Sequence, residues 1–324
     1  MQKHINLKTV LSGIAVVLLL LVVIYSGLQL LKPAVFTEPE VPPSKTIERD
    51  GVKYFPRQDI TVFLIMGIDK EGKAVSSGSY NNDGEADVVA LAVFDETDKS
   101  YSVLCLNRDT MLDMPVLGIG GKNAGTLHGQ LALSHTYGSG LADSCKNTKK
   151  TVSDFLYGLE IDYYVAFNMD AIGILTDAVG GVKVNVTDDF SAVDPTITKG
   201  EIVLNSSQAL NFVRTRQGVG DQMNVSRMKR QEEFLKGFFE SLHIKIHESD
   251  RFLVNTYGNV SEYMVSDCSV DVLAALTDRY SDYTLKEIVS PEGENVKGKQ
   301  YMEFYPDEEK LDDLIVRMFY APKK

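Results

Sequence analysis

The feature that most constrains this chain is an uncharged apolar run from Val10 to Leu31. A helix rises about 1.5 Å per residue, so a run of this length crosses the roughly 30 Å hydrocarbon core of a bilayer. The run is also longer than the apolar part of a usual secretory signal peptide, and no clear cleavage site follows it. It therefore predicts one uncleaved N-terminal transmembrane helix, with a cleaved signal peptide as the alternative.

The orientation of this anchor follows from the charges that precede it. Lys3 and Lys8 lie before the run, and positive residues next to a membrane span remain on the cytoplasmic side. The predicted product is a single-pass protein of the cell membrane whose C-terminal domain is extracytoplasmic. Its predicted parts are a cytoplasmic N-terminus (1–9), a transmembrane anchor (10–31), a proline-rich extracytoplasmic linker (32–57) and an outer domain (58–324).

Charge and cysteine content limit the partners of the chain. Its formal net charge of -12 over 324 residues argues against a nucleic-acid binder, because phosphate contacts supply most of that affinity. The three cysteines lack the spacing of a zinc site. Cys105 lies in an apolar run and is expected to be a buried thiol, whereas a bridge between Cys145 and Cys268 stays open.

The pattern of the outer domain alternates strands with helices. Residues 59–69 form a near-continuous apolar run, as expected of a strand buried on both faces. Residues 86–110 predict two strands joined by a polar turn. Helices are predicted over 143–159 and 170–181 and from about Ser226 onwards. Together these elements predict an α/β domain of three layers, αβα, with a mixed central sheet.

A basic cluster in this acidic chain predicts an anion site. It consists of Arg214, Arg216, Arg227, Lys229 and Arg230. The planar fork of an arginine donates two parallel hydrogen bonds to phosphate oxygens. Arg214 and Arg216 point the same way if their segment is extended, and Arg227 shares a helical face with Arg230 or Gln231. A solvated basic surface is the alternative, and Lys229 is expected to face solvent.

Carboxylates stand next to the ends of the predicted strands. Asp69 ends the first strand, Asp87 begins the next, and Arg108 and Asp109 follow the third. Open α/β sheets bind ligands at strand ends, and two carboxylates beside arginines suit a Mg²⁺ ion that clamps a pyrophosphate. Taken singly, each aspartate is more typical of a turn or a helix cap.

These motifs occur together in one known family. In order between about residues 60 and 240, the chain contains "GID", "ADVVALAVF", "VLCLNRDTM", "LNSSQALNFVRTR" and "SRMKRQEEFL". With the anchor ahead of them, it resembles the LytR-CpsA-Psr (LCP) proteins of bacterial cell walls. The resemblance implies a phosphotransferase that moves a glycopolymer from an undecaprenyl-pyrophosphate carrier onto peptidoglycan.

The resemblance also implies roles for individual residues. Asp69 and Asp87 would hold Mg²⁺, and the pyrophosphate would be bound by Arg108, Arg214, Arg216, Arg227 and Gln231. Either Asp87 or Asp109 is expected to orient or deprotonate the attacking hydroxyl, and with Arg108 they form the predicted catalytic set. Two positions depart from the family pattern. Glu85 stands where many members have arginine, and Asn224 where many have aspartate.

Several functional alternatives stay open at this stage. A membrane-anchored binder or regulator without catalysis uses the same arginines, and a pyrophosphatase with water as acceptor uses the same carboxylates. The apolar faces of helices 170–179 and 228–242 are candidates for a lipid groove or for ordinary core. The transferred polymer, whether teichoic acid, capsule or another wall glycan, is not specified.

Overall fold

The computed structural model describes residues 46–118, 121–220, 224–249, 252–269, 272, 275–276, 279–280 and 282–322. The predicted anchor at 10–31 and most of the predicted linker lie outside these residues. Among the described residues, no helix is both long enough and apolar enough to cross a membrane.

The elements are named here in chain order. The strands are β1 (Ile47–Arg49), β2 (Val52–Pro56), β3 (Ile60–Ile68), β4 (Ala86–Asp95), β5 (Ser100–Leu106), β6 (Met111–Leu117), β7 (Asn123–Gln130), β8 (Tyr163–Asn168), β9 (Val182–Val186), β10 (Gly200–Leu204), β11 (Met264–Ser266), β12 (Thr284–Val289), β13 (Gly293–Lys297), β14 (Met302–Pro306) and β15 (Tyr320–Pro322). The helices are α1 (Ala142–Phe155), α2 (Met169–Ala178), α3 (Ser206–Arg214), α4 (Asn224–Glu248), α5 (Phe252–Val260) and α6 (Glu308–Phe319).

The central sheet has the strand order β11-β8-β3-β4-β5-β12. Strands β8 and β3 are parallel, as are β5 and β12, while the other neighbouring pairs are antiparallel. The prediction of an α/β domain with a mixed central sheet is therefore confirmed. The hairpin predicted over 86–110 is also present as β4 and β5, with Lys99 in the left-handed region at the turn (φ 53°).

Strand β3 shows why the sheet is covered on both faces. Alternate side chains of a strand point to opposite sides, and its apolar run leaves neither side polar. Phe63 and Ile65 pack into one hydrophobic cluster, with side chains of α2, α3 and α4. Leu64 and Met66 pack into the other, with side chains of α1 and α6. The sheet thus lies between two helical layers.

Strand directions bring several chain segments to one edge of this sheet. Strand β4 runs antiparallel to both β3 and β5, so the end of β3, the start of β4 and the end of β5 meet there. Strand β8 is parallel to β3 and ends at the same edge. Asp69, Asp87 and Arg108 are therefore neighbours because of topology, although up to 39 positions separate them in the sequence.

The start of the folded domain differs from that expected from the sequence. The last part of the predicted linker 32–57 forms β1 and β2, which pair with each other and with β15 near the end of the chain. The folded domain thus begins before residue 58. The long helix α4 begins at Asn224, close to the start predicted near Ser226.

Candidate anion-binding site

Asp87 is the centre of an arginine cluster at this edge. Its Oδ1 accepts a hydrogen bond from Nη1 of Arg108, and its Oδ2 accepts one from Nη1 of Arg227 at 2.7 Å. Both guanidinium groups are buried. Asp87 therefore joins the end of β5 to the first turn of α4.

Two asparagines connect the same elements below this ion pair. Nη2 of Arg227 donates to Oδ1 of Asn224 at 2.8 Å, and Nδ2 of Asn224 donates to Oδ1 of Asn107 at 2.6 Å. The Asn107 oxygen also accepts the backbone N–H of Asp109 at 2.9 Å. Because Asn224 both accepts and donates here, an aspartate at this position would leave the bond to Asn107 unmade. Sequence patterns gave no signal for Asn107.

Asp109 lies buried beside Arg108. Its Oδ1 accepts a hydrogen bond from Nε2 of Gln130 at 2.7 Å and lies 3.5 Å from Nε of Arg108. Its Oδ2 has no hydrogen-bond partner. Burial raises the pKa of Asp109, against the lowering effect of the nearby arginines. Gln130, which the sequence analysis missed, fixes this carboxyl and donates also to the carbonyl of Met302.

The unsatisfied polar atoms of the described residues converge on this cluster. They are Nε of Arg108, Oδ2 of Asp109 and Nε of Arg227. Native proteins leave few buried polar groups without a partner, because each costs roughly 1–3 kcal/mol. Three such atoms in one cluster, two of them arginine donors, indicate a site that is completed by an anion.

The balance of charge supports the same conclusion. Burial, above all, and the charges of Arg216 and Arg108 lower the pKa of Arg227 to about 9. Arg227 stays protonated at neutral pH, and the charges of Arg216 and Arg108 repel its own although Asp87 pairs with it. Arg216 is exposed and forms no ion pair with a described residue. An anion placed between Arg216 and Arg227 would relieve this repulsion.

The sequence analysis placed Arg214 and Arg216 on the same side if their segment is extended. The structure does not show one extended segment that contains both residues. Arg214 is the last residue of α3, while Arg216 follows in the loop. Its guanidinium is exposed and lies 3.4 Å from Asp69 and 3.3 Å from Glu71. Gln231 is half-buried in α4 and donates to the carbonyl of Val213 at 3.1 Å. Both residues border the cluster without joining its buried core.

Arg230 has a structural position instead of a ligand-facing one. Its guanidinium donates to the carbonyls of Phe212 (3.0 Å) and Thr215 and to Oδ2 of Asp188 at 2.6 Å. It also lies over the ring of Phe190. All of its donor groups are thus engaged within the protein. Lys229, in contrast, is exposed as predicted.

An apolar cavity of about 130 Å³ borders the charged cluster. Its charged or polar lining residues are Asp87, Arg214 and Gln231, and the rest of the lining is mainly aliphatic and aromatic. Helix α2 contributes Ile172 and Leu175, and helix α4 contributes Phe234, Leu235 and Phe238. The two helices proposed from the sequence as either lipid groove or core thus pack in the core and also line this cavity.

Asp69 and Asp87 suit a magnesium ion only if a bound anion supplies further oxygen ligands. Asp69 follows β3 directly, and its backbone N–H donates to the carbonyl of Glu85 at 2.9 Å, so Asp69 and Asp87 lie on neighbouring strands. Their hard oxygen atoms suit Mg²⁺. However, no three His, Cys, Asp or Glu residues within the described ranges converge as a metal site. A bound ion would need oxygen atoms from the anion itself.

The cysteines form no part of this site. Cys105, Cys145 and Cys268 are buried free thiols, so the structure contains no Cys145–Cys268 bridge. Burial raises the pKa of each thiol, which makes the thiolate form rare and the groups unreactive.

The fold and this cluster define an α/β domain with a mixed sheet that carries buried arginines at one edge. The sequence model of the LytR_cpsA_psr family matches residues 39–318. The chain therefore belongs to the LytR_cpsA_psr family, and the resemblance inferred from its motifs is confirmed.

Two relatives are named polyisoprenyl-teichoic acid–peptidoglycan teichoic acid transferase TagU. The Bacillus licheniformis protein is 24% identical over 278 residues, which are 85% of this chain and 82% of the relative. The Oceanobacillus iheyensis protein is 26% identical over 308 residues, with 90% and 87% covered. These relatives confirm the prediction of an enzyme of the transferase class. The crystal structure of B. subtilis TagV shares the fold, with a TM-score of 0.60 and 22% identity over 81% of this chain and 96% of that one.

Proposed function

We propose that this chain is a membrane-anchored phosphotransferase that moves a teichoic acid or similar glycopolymer from a polyprenyl-pyrophosphate carrier to peptidoglycan. The observation that carries the proposal is the pair of unsatisfied arginine donors, Nε of Arg108 and Nε of Arg227. Both guanidinium groups bind Asp87, and Asp87 itself lines the apolar cavity. In a pyrophosphate joined to a prenyl chain, the pyrophosphate suits the arginine donors and the prenyl chain suits the apolar cavity. The names of the TagU relatives point to the same donor and acceptor classes.

The proposed chemistry is a substitution at phosphorus. The oxygen of an acceptor sugar hydroxyl forms a bond to the phosphorus that carries the glycopolymer, and the bond from that phosphorus to the bridging oxygen breaks. Polyprenyl phosphate leaves with this oxygen, and the hydroxyl proton passes to a carboxylate. Arg108 and Arg227 stabilise the charge that develops on the phosphoryl oxygens, because Asp87 holds their guanidinium groups in place beforehand. Arg216 adds a positive charge from the exposed loop.

Asp109 is the better candidate for the proton acceptor. Both oxygens of Asp87 already accept arginine hydrogen bonds, whereas Oδ2 of Asp109 has no partner. Burial raises the pKa of Asp109, which makes its carboxylate a stronger base than an exposed one. In this assignment Asp87 holds the two arginines in position and Asp109 takes the proton.

Magnesium enters the proposal through the two strand-end carboxylates. Asp69 and Asp87 would hold the ion together with phosphate oxygens, since Mg²⁺ usually combines one or two protein carboxylates with substrate phosphates. When bound, it would supply further positive charge next to the pyrophosphate.

The proposed function is tested with purified full-length protein in detergent. The protein is incubated with Mg²⁺, a polyprenyl-pyrophosphate-linked sugar and peptidoglycan fragments, and polyprenyl phosphate and labelled peptidoglycan are both quantified. We expect the two products in equal amounts. Release of polyprenyl phosphate without labelled peptidoglycan would identify a pyrophosphatase, and tight binding of the donor without release would identify a binder.

The cavity gives a prediction that separates lipid from anion recognition. Leu235→Gln places an amide in the apolar lining and should weaken binding of farnesyl pyrophosphate about ten-fold, since a buried leucine side chain contributes roughly 1.5–3 kcal/mol. Binding of inorganic pyrophosphate should change less than two-fold. Isothermal titration calorimetry measures both affinities. The matched control is Lys236→Gln at the adjacent exposed position, and an equal loss for both ligands would remove the cavity from the proposal.

The proposed location at the cell surface rests on residues outside the described ranges. Lys3 and Lys8 before the apolar run predict that the linker is extracytoplasmic. A cysteine introduced by Glu40→Cys should therefore react with a membrane-impermeant maleimide on intact cells. The three native cysteines are buried and should give little background. Gln2→Cys is the control and should react only after lysis; the reverse pattern would contradict the orientation.

A further inference from the structure

Each nitrogen of the Arg108 guanidinium lies near a carboxylate of the protein, although Nε forms no hydrogen bond. Nη1 donates to Asp87 and Nη2 donates to Glu85, and Nε lies 3.5 Å from Oδ1 of Asp109. One arginine carries a single positive charge, so three neighbouring carboxylates are more than are needed to neutralise it. An anion that approaches Arg108 must therefore displace one of them or remain outside.

Glu85 is the carboxylate that is able to leave. Its side chain is 37% exposed, whereas those of Asp87 and Asp109 are 13% and 4% exposed. Asp87 is retained by Arg227 as well, and Asp109 by Gln130. Within the described residues, the Glu85 carboxylate has only Arg108 as an ion-pair partner.

The backbone beside Glu85 is fixed, so that only the side chain needs to move. The Glu85 carbonyl accepts the N–H of Asp69 at 2.9 Å. The preceding Gly84 donates to Oδ1 of Asn82 at 2.7 Å, and its carbonyl accepts Nδ1–H of His135 at 2.8 Å. A Cβ at Gly84 would lie 2.9 Å from that Asn82 oxygen, which explains the glycine. A rotation of the Glu85 side chain into solvent requires no change in these bonds.

We infer that Glu85 is a selectivity residue of the anion site, whose carboxylate occupies the Nη2 donor of Arg108 in the place that a phosphoryl oxygen would take. Carboxylate and phosphate are alternative acceptors for the same guanidinium fork. An anion binds Nη2 of Arg108 only by displacing Glu85, and a diphosphate that also reaches Arg216 and Arg227 has the additional contacts to do so. The inference rests on the proposed function only in taking a pyrophosphate as the ligand.

The direct test measures binding of inorganic pyrophosphate to full-length protein in detergent, without added divalent cation. Glu85→Gln keeps the shape of the side chain but removes the charge that competes for Arg108. We expect pyrophosphate to bind about ten-fold more tightly, the size that a partly exposed ion pair of about 1.4 kcal/mol would produce. Asp83→Asn is the matched control, because it removes an equal charge two residues away at an exposed pair with Lys70, and it should change affinity less than two-fold.

A double-mutant cycle separates competition between Glu85 and pyrophosphate for Arg108 from the general effect of removing a negative charge. In an Arg108→Gln background Glu85 has no arginine to occupy, so adding Glu85→Gln should no longer tighten binding. Glu85→Ala should tighten binding in the wild-type background like Glu85→Gln, and far-UV circular dichroism verifies folding of each variant. Equal effects of Glu85→Gln and Asp83→Asn, or tightening that persists without Arg108, would overturn the inference. Since no sugar transfer is measured, this outcome is independent of whether the proposed reaction takes place.

Discussion

Asp87→Asn should lower the rate of glycopolymer transfer about 10²–10³-fold, the usual effect of losing one preorganised electrostatic contact in an active site. The asparagine amide accepts a hydrogen bond through only one atom, so Arg108 and Arg227 no longer share one carboxylate. The reduction should appear in kcat. Affinity for the donor should fall less than about ten-fold or even rise, because the substitution also removes a negative charge near the pyrophosphate.

The control for this prediction is Asp83→Asn, whose carboxylate is exposed and lies opposite Lys70; its kcat should stay within two-fold of wild type. Release of polyprenyl phosphate is the readout, with Mg²⁺ present or chelated. A kcat of Asp87→Asn near the wild-type value would refute the positioning role. Wild-type turnover that survives chelation as well would remove magnesium from the proposal.

The sheet was predictable because its signals are local. A continuous apolar run such as 59–69 specifies a strand with two buried faces whatever its neighbours are. Helix α3 likewise begins with local partners, because Asn205 and Gln208 form a capping box with both bonds made. Helix α2 ends before Gly180 and Gly181, which adopt left-handed φ values of 80° and 99°. Order and pairing of the strands, in contrast, depend on contacts between distant segments.

The site was predictable only in part for the same reason. Asp87, Arg108 and Arg227 stood out through their position at strand or helix ends, and topology brings them together. Arg230 looked equivalent to Arg227 in the sequence, since nothing local reveals that Asp188, 42 positions earlier, is its partner. Gln130 was missed because its target, Asp109, lies on another strand end.

Arg230→Ala should destabilise the folded protein by roughly 3–5 kcal/mol, as expected when a buried charged network loses one member. The side chain is 5% exposed, and its removal leaves the carbonyls of Phe212 and Thr215 without these hydrogen bonds. Each carbonyl left unsatisfied costs roughly 1–3 kcal/mol. Because the chain contains no tryptophan, urea unfolding of the full-length protein is followed by far-UV circular dichroism.

Comparison with its neighbours separates this structural role from a ligand-binding one. Lys229→Ala, one position earlier and exposed, should change stability by less than about 0.5 kcal/mol. Arg230→Lys should recover little of the loss, because one ammonium group cannot reproduce the geometry of a fork that reaches Asp188 and two carbonyls. Arg227→Ala should affect pyrophosphate binding more than it affects unfolding. Arg230→Ala could instead unfold at the wild-type urea concentration and lose pyrophosphate binding as Arg227→Ala does. That result would place Arg230 in the anion site, and the interpretation of the basic cluster as a single site would be correct.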